Sequence, residues 1–219
     1  MKPSGAFSQV DAGMNSISEL LRSKVLNIAI GIFLGAVWGY FAYRHLVAFQ
    51  EYGIWAHLLY GCVETLIATF FISRSVPQTV SANPFDWLVA IIGSFAPSFF
   101  IPGTWGIVPG ANNIIFVGLT LQLLALLSLN RSLAIVPAKR QIKTTGMYAF
   151  VRHPMYASHV VATTGYVLAN TSTANLVVYA VVMGSLLLRI VREEKHLALD
   201  PLYRQYMGRV RYRLVPLVF

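Results

Sequence analysis

The sequence predicts an all-α fold, a polytopic membrane bundle of five to six transmembrane helices with a C-terminal helical hairpin and a cytoplasmic tail. Of its 219 residues, 56% are hydrophobic and only 11% are charged, whereas an ordinary soluble domain is roughly a quarter charged. Six apolar runs are separated by short polar stretches, and a helix needs about 20 residues to cross a bilayer. Composition and spacing together exclude a soluble domain.

The apolar runs differ in length, and this sets what each one can do. They cover residues 25–43, 54–72, 87–101, 113–129, 155–170 and 176–188. The first, second and fourth are long enough to span a membrane. The third is short and contains Pro97, which predicts a kinked or tilted helix. The fifth and sixth are also short, so we expect a tight hairpin that either spans or is half-inserted, with both ends on one face.

The polar N-terminal residues and the cysteine count bear on three further features: a signal peptide, disulfide bonds and a metal site. The first 20 residues lack an apolar core, so we expect no cleavable signal peptide. The single cysteine, Cys62, excludes an intrachain disulfide framework and a zinc site built from cysteines. We predict no metal site.

The predicted topology places nearly all Lys and Arg residues on one side of the membrane. With the N-terminus inside, 16 of the 17 Lys and Arg residues fall on inner segments, and only Arg44 falls outside. The positive-inside rule then predicts that both termini are cytoplasmic, in a membrane that we expect to be a prokaryotic inner membrane. The net charge of +9 is therefore explained by the membrane topology, and the basic inner segments should have some affinity for anionic membrane lipids. No nucleic-acid platform is expected.

We divide the chain into a cytoplasmic segment (1–24), N-terminal transmembrane helices (25–129) and a C-terminal core (130–219). Small residues at Gly31, Gly35 and Gly39 form a ridge on the first helix, which allows close helix approach. Packing against another helix of the same chain is favoured over a homodimer through this ridge. His57 and Glu64 lie seven residues apart on one face of the second helix and must point into the bundle or a wet cavity.

Two charged motifs flank the predicted hairpin. Residues 146–156 read GMYAFVRHPMY, and residues 189–194 read RIVREE. Pro154 suits the first turn of a helix, so the fifth helix should begin there. Ionisable groups at the edge of a bilayer indicate a functional site, although snorkelling arginines or an Arg189–Glu193 salt bridge would also account for single residues. The aromatic segment at 203–213 is expected to lie on the inner membrane face.

These motifs resemble a known family. Gly146-x-Tyr148-x3-Arg152-His153-Pro154-x-Tyr156, then Arg189-x3-Glu193-Glu194, then Tyr203-x2-Tyr206 and a closing Arg-Leu-Val-Pro are similar to the isoprenylcysteine carboxyl methyltransferases and the phospholipid methyltransferases. The resemblance covers about residues 130–216. It implies a membrane methyltransferase that uses S-adenosyl-L-methionine and acts on a lipophilic or small acceptor.

The resemblance also implies site residues. Arg189 falls on the family's substrate-orienting arginine and is the expected catalytic residue. The implied cofactor-binding residues are Arg140, Gln141, Ile142, Lys143, Tyr148, His153, Pro154, Tyr156, Glu193 and Glu194. One departure stands at Arg140, where the family often has a histidine.

Whether methyl transfer needs a general base depends on the chemical class of the methyl acceptor. A carboxylate is already a nucleophile, so positioning and loss of water would suffice. An amine or thiol must lose a proton, and His153 or Glu194 would then be the candidate base. Two other functions share related motifs: an NADPH-dependent membrane sterol-type reductase and a non-enzymatic membrane assembly factor.

Overall fold

In the computed structural model, residues 23–103 and 105–219 are described, so most of the predicted N-terminal segment (1–24) lies outside the described residues. The described chain is predominantly helical and contains almost no strand, as predicted. The helices are α1 (Lys24–Tyr52), α2 (Trp55–Ser73), α3 (Pro84–Phe95), α4 (Asn112–Leu129), α5 (Pro154–Ala169), α6 (Thr173–Leu197) and α7 (Pro201–Arg209). Single 3₁₀ turns occur at Ala96–Phe99, Asn130–Ser132 and Gly146–Ala149.

Among the described residues, four helical segments are long and apolar enough to cross a membrane: Lys24–Tyr52, Trp55–Ser73, Asn112–Ser132 and Thr173–Leu197. The last of these corrects the expectation of a short sixth helix. Its apolar run ends at Leu188, but the helix continues through residues 189–197 because the charged side chains there have partners inside the protein. Helix α5 begins at Pro154, as predicted.

Proline and asparagine shape the two shorter connections. Helix α3 ends at Phe95, and the chain continues as the 3₁₀ turn that contains Pro97, which confirms the predicted break. The link between α5 and α6 is only three residues long. Asn175 fastens it, because its amide accepts from Ile101 N and donates to Ile101 O and Asn170 O at 2.7–2.9 Å. The predicted tight hairpin is present.

Close helix contacts depend on glycine. A Cβ at Gly31 would lie 2.6 Å from the carbonyl oxygen of Phe71, and one at Gly35 would meet the Ile72 side chain. Gly39 has open space around it. Two of the three ridge glycines therefore bring α1 against α2 of the same chain. On the other side of the bundle, Gly118 of α4 lies against Ala162 of α5.

The core lies where these two helix pairs meet. Trp38 of α1 packs on Phe71 of α2 and on Phe95 of α3, with ring centroids 5.0 and 5.6 Å apart. Other buried members of this cluster include Val63, Ile67, Ile115, Leu119, Leu126 and Ala162. Helix α6 packs on α3 and leaves space between itself, α2 and α5, and this space becomes the site.

The two-residue strands β1 (Thr79–Val80) and β2 (Ala138–Lys139) pair antiparallel. Backbone hydrogen bonds from Gln78 N to Lys139 O and from Ser81 N to Pro137 O flank the two strands and extend their pairing by one residue at each end. The pair fastens the loop after α4 to the connection between α2 and α3. It thereby fixes where Arg140 and the following residues stand.

Candidate active site

The 146–156 motif folds as a tight turn that leads into α5. Gly146 adopts φ +61, and a Cβ there would collide with the Ser128 side chain, so glycine is required both for the backbone conformation and for space. Ser128 accepts a hydrogen bond from Met147 N at 3.2 Å. The turn therefore rests on the end of α4. Tyr148 follows at the centre of the turn, where it is half-buried and desolvation raises the pKa of its phenol.

The C-terminal segment closes over this turn through backbone hydrogen bonds. Arg152 N donates to Tyr212 O, and His153 N donates to Arg213 O, each at 2.9 Å. The Arg152 guanidinium adds bonds to the carbonyls of Val210 and Arg211, both at 2.8 Å. Residues 210–213 are thus fixed against the start of α5 by four hydrogen bonds.

Tyr203 and Tyr206 complete the closure from α7. Both are buried, at 4% and 2% exposure, and Tyr206 donates to the carbonyl of Tyr148 at 2.7 Å. Burial raises the pKa of Tyr206 to about 12, so its phenol stays protonated and can donate. The expectation that these tyrosines lie on the membrane face is wrong, because they face the site instead.

Glu194 is the centre of a buried charge cluster. Its Oε1 accepts from Arg152 Nε at 2.6 Å and lies 3.2 Å from His153 Nε2, and its Oε2 accepts from Arg213 Nε at 2.9 Å. The carboxylate is 5% exposed, and it joins α6 to the start of α5 and to the C-terminal segment. Both of its oxygens already have partners within the protein.

Glu193 has a different environment one residue earlier. Its Oε2 accepts from the Tyr156 hydroxyl at 2.7 Å, and the Tyr156 ring is stacked on His153 with centroids 5.4 Å apart. Within residues 23–103 and 105–219, Oε1 has no hydrogen-bond partner, and no ion pair joins Glu193 to Arg189. The alternative of an Arg189–Glu193 salt bridge is therefore wrong.

Arg189 is held between three elements. Its guanidinium donates to Ser94 Oγ of α3 at 3.3 Å and to Ile135 O at 3.0 Å, and it lies 5.2 Å from the centre of the Tyr156 ring. Gly93 leaves room for its stem, since a Cβ there would approach Arg189 Cδ to 3.1 Å. These contacts fix the plane of the guanidinium while leaving other N–H groups to bind a ligand.

The groups face a cavity of about 690 Å³ enclosed by the helices, a volume typical of sites for small-molecule ligands. Nine of the eleven predicted site residues line it: Arg140, Gln141, Ile142, Lys143, Tyr148, His153, Tyr156, Arg189 and Glu193. Pro154 and Glu194 do not. Pro154 is buried as the first residue of α5, and Glu194 is turned into its charge cluster.

The cavity wall changes character along its length. Near α7 it is aromatic and charged, whereas Trp38, Ile67, Phe71 and Leu133 make a middle section apolar. At the far end it reaches His45 and His57, whose Nδ1 atoms lie 3.4 Å apart, and Glu64. His57 and Glu64 therefore point into a cavity, as predicted.

Sequence reasoning missed two residues on this wall. Ser94 orients Arg189, but no motif marks it. His159 stands one helical turn after Tyr156, and its Nε2 is buried without a hydrogen-bond partner in the described chain. Its spacing from Tyr156 on α5 was the available signal.

A comparison with known protein families finds a match, and this match covers most of the residues of the site. Residues 109–204 match the family model described as phospholipid methyltransferase. Over these residues, a little under half of the chain, the protein is similar to the phospholipid methyltransferase family. No curated protein matches the chain.

The phospholipid methyltransferase match begins near the start of α4 and ends within α7, so it contains the turn with Tyr148, Tyr156 at the start of α5, and Arg189 and Glu193 of α6. The resemblance inferred from the motifs is confirmed. The match supports a membrane methyltransferase over the reductase alternative. Helices α1–α3, which supply the rest of the cavity wall, lie outside the matched residues.

Proposed function

We propose that this protein is an S-adenosyl-L-methionine-dependent methyltransferase that acts on a lipophilic acceptor within a membrane. The observation that carries the proposal is the position of Glu193. It is a carboxylate with one oxygen that has no hydrogen-bond partner among the described residues, and it lies on the wall of a cavity to which the residues of the family match contribute.

The chemistry of the wall fits the cofactor. S-adenosyl-L-methionine carries a sulfonium, an ammonium, a carboxylate and ribose hydroxyls, and it supplies an electrophilic methyl group. Glu193 can accept hydrogen bonds from ammonium or hydroxyl groups, and the aromatic face of Tyr148 can attract a cation. Lys143 and the start of α5 offer positive charge to an anionic group. Gln141 and Ile142 line the same end of the cavity.

Arg189 would orient the acceptor. Hydrogen bonds to Ser94 and Ile135 hold its planar guanidinium in one orientation. A carboxylate or phosphate oxygen bound there would be aligned, while the apolar middle section of the wall excludes water. For an acceptor that is already an anionic nucleophile, no base is needed.

An amine or thiol acceptor would require a proton acceptor on the wall. Glu194 lies off the cavity, and His153 shares a hydrogen bond with it, so neither is available without breaking the charge cluster. His159 is available, because its Nε2 is unpartnered within the described residues and its side chain lines the cavity. We therefore assign the base role to His159 for this class of acceptor.

A parallel assay tests the proposal. Purified protein is incubated with tritiated-methyl S-adenosyl-L-methionine and with lipid extract, small thiols or farnesylated cysteine. We expect transfer to a lipophilic acceptor, and calorimetric titration in detergent should show binding of S-adenosylhomocysteine but not of NADPH. Binding of NADPH alone would favour the reductase. The Gly184→Ala variant, at an open helix position, is the control for preparation quality.

A further inference from the structure

The far end of the cavity is polar, although it lies between helices that are long enough to span a membrane. On α2, His57, Tyr60 and Glu64 follow one another at intervals of three and four residues, so they share one face of the helix. His45 of α1 lies opposite, and its ring is stacked on the Tyr60 ring with centroids 4.7 Å apart. All four side chains line the cavity, and we call them the distal group. Ionisable side chains in such segments indicate a function beyond packing.

The two histidines of the distal group bind each other. Their Nδ1 atoms lie 3.4 Å apart, so in a pair of neutral rings one Nδ1 donates and the other accepts. Whichever ring donates, the two Nε2 atoms then provide one N–H donor and one acceptor nitrogen. Among residues 23–103 and 105–219, no third His, Cys, Asp or Glu side chain joins the pair in a metal-ligand group. Hydrogen bonding is therefore the chemistry that the pair offers to a ligand.

Glu64 has an unmet hydrogen-bonding need. Its Oε2 is buried and has no hydrogen-bond partner in the described part of the chain. A buried polar atom without a partner costs free energy of folding, because it has lost its hydrogen bonds to water. On the wall of a cavity, such an atom can be satisfied by a ligand that brings a hydrogen-bond donor. The carboxyl group is therefore a candidate contact for a ligand.

The apolar middle section of the wall separates the distal group from the end of the cavity near α7. It includes Ile67 and Phe71 of α2 and Trp38 of α1. The stretch of α2 from His57 to Phe71 is about 21 Å long, at about 1.5 Å per residue. A ligand that fills the cavity therefore needs a long hydrocarbon part. A plain hydrocarbon end would leave the Glu64 carboxyl without a partner.

The donors and acceptors of the distal group indicate which polar group fits it. The Tyr60 hydroxyl and the histidine pair can each donate and accept, and Glu64 provides an acceptor oxygen. A hydroxyl group also does both. An anionic end would lie beside the Glu64 carboxyl, and a cationic end would share the cavity mouth with Arg44. An uncharged hydroxyl avoids both conflicts and loses less hydration than an ion on entering the bundle.

We propose that the distal group binds an uncharged hydroxyl at the far end of a lipophilic ligand, so that this ligand has polar groups at both ends of its hydrocarbon part. The hydroxyl donates to Glu64 and accepts from Tyr60 or from the histidine pair. This inference rests on the proposed function and adds to its acceptor a second recognised group, remote from the transferred methyl. The residues that carry it belong to α1 and α2, outside the family match at 109–204.

The test compares two ligand series that differ only in the far hydroxyl. Full-length protein in maltoside detergent is titrated calorimetrically with alkan-1-ols and with alkane-1,ω-diols over a series of matched chain lengths. We expect the ratio of diol affinity to alkanol affinity to reach about ten at one chain length, the contribution of about one hydrogen bond. The ratio should fall at shorter and longer lengths, because the far hydroxyl then misses the distal group. A ratio that is independent of chain length would overturn the inference.

Variants of Glu64 identify the contact. Glu64→Leu should lower the ratio to about one, whereas Glu64→Gln, which keeps an acceptor oxygen, should retain most of it. Equal ratios in the wild type and Glu64→Leu would show that the distal group binds only water. An equal loss in Glu64→Gln and Glu64→Leu would assign the effect to charge and exclude the hydroxyl. If Glu64→Leu does not fold, Tyr60→Phe, which removes one donor, carries the test.

Thr65→Val is the matched control one position away. Thr65 is exposed, and its hydroxyl donates to Gly61 O of the same helix at 2.7 Å. The variant should keep the wild-type ratio, and every variant should bind S-adenosylhomocysteine within a few-fold of the wild type. A loss of the ratio in Thr65→Val would reduce the effect to a general disturbance of α2 and overturn the inference.

The two proposals fail separately. Wild-type protein that binds neither S-adenosyl-L-methionine nor S-adenosylhomocysteine sinks the methyltransferase proposal, whatever the diol titration shows. Wild-type protein that binds S-adenosylhomocysteine, but binds diols and alkanols equally at every chain length, sinks only the present inference.

Discussion

Tyr156 and Glu193 are joined by a 2.7 Å hydrogen bond that connects the first turn of α5 to the last two turns of α6. The bond uses one carboxylate oxygen and leaves the other toward the cavity. Its neighbour Glu194 has both oxygens occupied by Arg152, His153 and Arg213. Two adjacent carboxylates therefore have separable roles, and the first and third predictions below separate them.

Glu193→Gln should abolish most of the rise in melting temperature that S-adenosylhomocysteine produces. The amide keeps the shape and can still accept from Tyr156, but it loses the charge that binds the ligand. Tyr156→Phe, which removes the hydroxyl and keeps the carboxylate, should reduce the shift less. Thermal unfolding in detergent with and without ligand measures both. An unchanged shift in Glu193→Gln would show that Glu193 has only a structural role.

Arg189→Lys should leave S-adenosylhomocysteine affinity within a few-fold but lower methyl transfer by about two orders of magnitude, or about 2.7 kcal/mol of transition-state stabilisation. Lysine keeps the charge but lacks the planar fork that holds an oxyanion, and it cannot reach Ser94 and Ile135 together. Single-turnover kinetics with saturating cofactor measure the effect. Full activity would argue against an anionic group at Arg189.

Glu194→Gln should destabilise the protein by about 3–5 kcal/mol, because it leaves Arg152 buried and its charge unpaired. The expected signature is a large drop in melting temperature without ligand. Glu193→Gln is the matched control one position away and should change that temperature little. Similar ligand-free melting temperatures for the two variants would contradict the assignment of Glu194 to the charge cluster.

His159→Gln should lower transfer to an amine or thiol acceptor by at least about a hundredfold and leave transfer to a carboxylate acceptor unchanged. Glutamine retains a polar group of similar size but cannot take up a proton. The pH dependence of kcat/KM should lose its acidic limb in the variant. Retention of that limb with an amine acceptor would place the base elsewhere.

Cysteine accessibility tests the predicted orientation of the protein in the membrane. In a Cys62→Ser background, cysteines at the exposed positions Lys195 and Gln205 should react with a membrane-impermeant reagent only from the cytoplasmic side. A cysteine at Glu51, at the opposite end of α1, is the control and should react only from outside. Labelling of Gln205→Cys from outside would reverse the topology and the placement of the site.

The apolar runs predicted where the helices lie, because hydrophobicity over about 20 residues is a local property of the sequence. Hydrophobicity did not predict that α6 continues to Leu197. Five of its last nine residues are charged, and this segment remains helical because its side chains have partners that are distant in sequence, such as Ile135 and Tyr156. The same limit applies to Tyr203 and Tyr206, whose spacing suits either a membrane surface or a protein interior.

The site was predicted where a motif marks it, and missed where it depends on packing. Nine of eleven expected residues line the cavity, yet Glu194 does not, because a one-residue step on a helix turns a side chain by about 100°. Ser94 belongs to no motif. Its importance follows from its contact with Arg189, and only the folded chain determines that contact.

The hydrogen bonds from residues 152 and 153 to residues 210–213 can form only after the C-terminal segment has been synthesised. The turn at 146–156 is made, and α5 and α6 follow, before any carbonyl acceptor for the Arg152 guanidinium exists. Membrane insertion and completion of the binding pocket are therefore separate events. A chain shortened before Val210 would keep the four helices of the described residues that are long enough to span a bilayer, but it would lack the carbonyl groups that hold the Arg152 side chain.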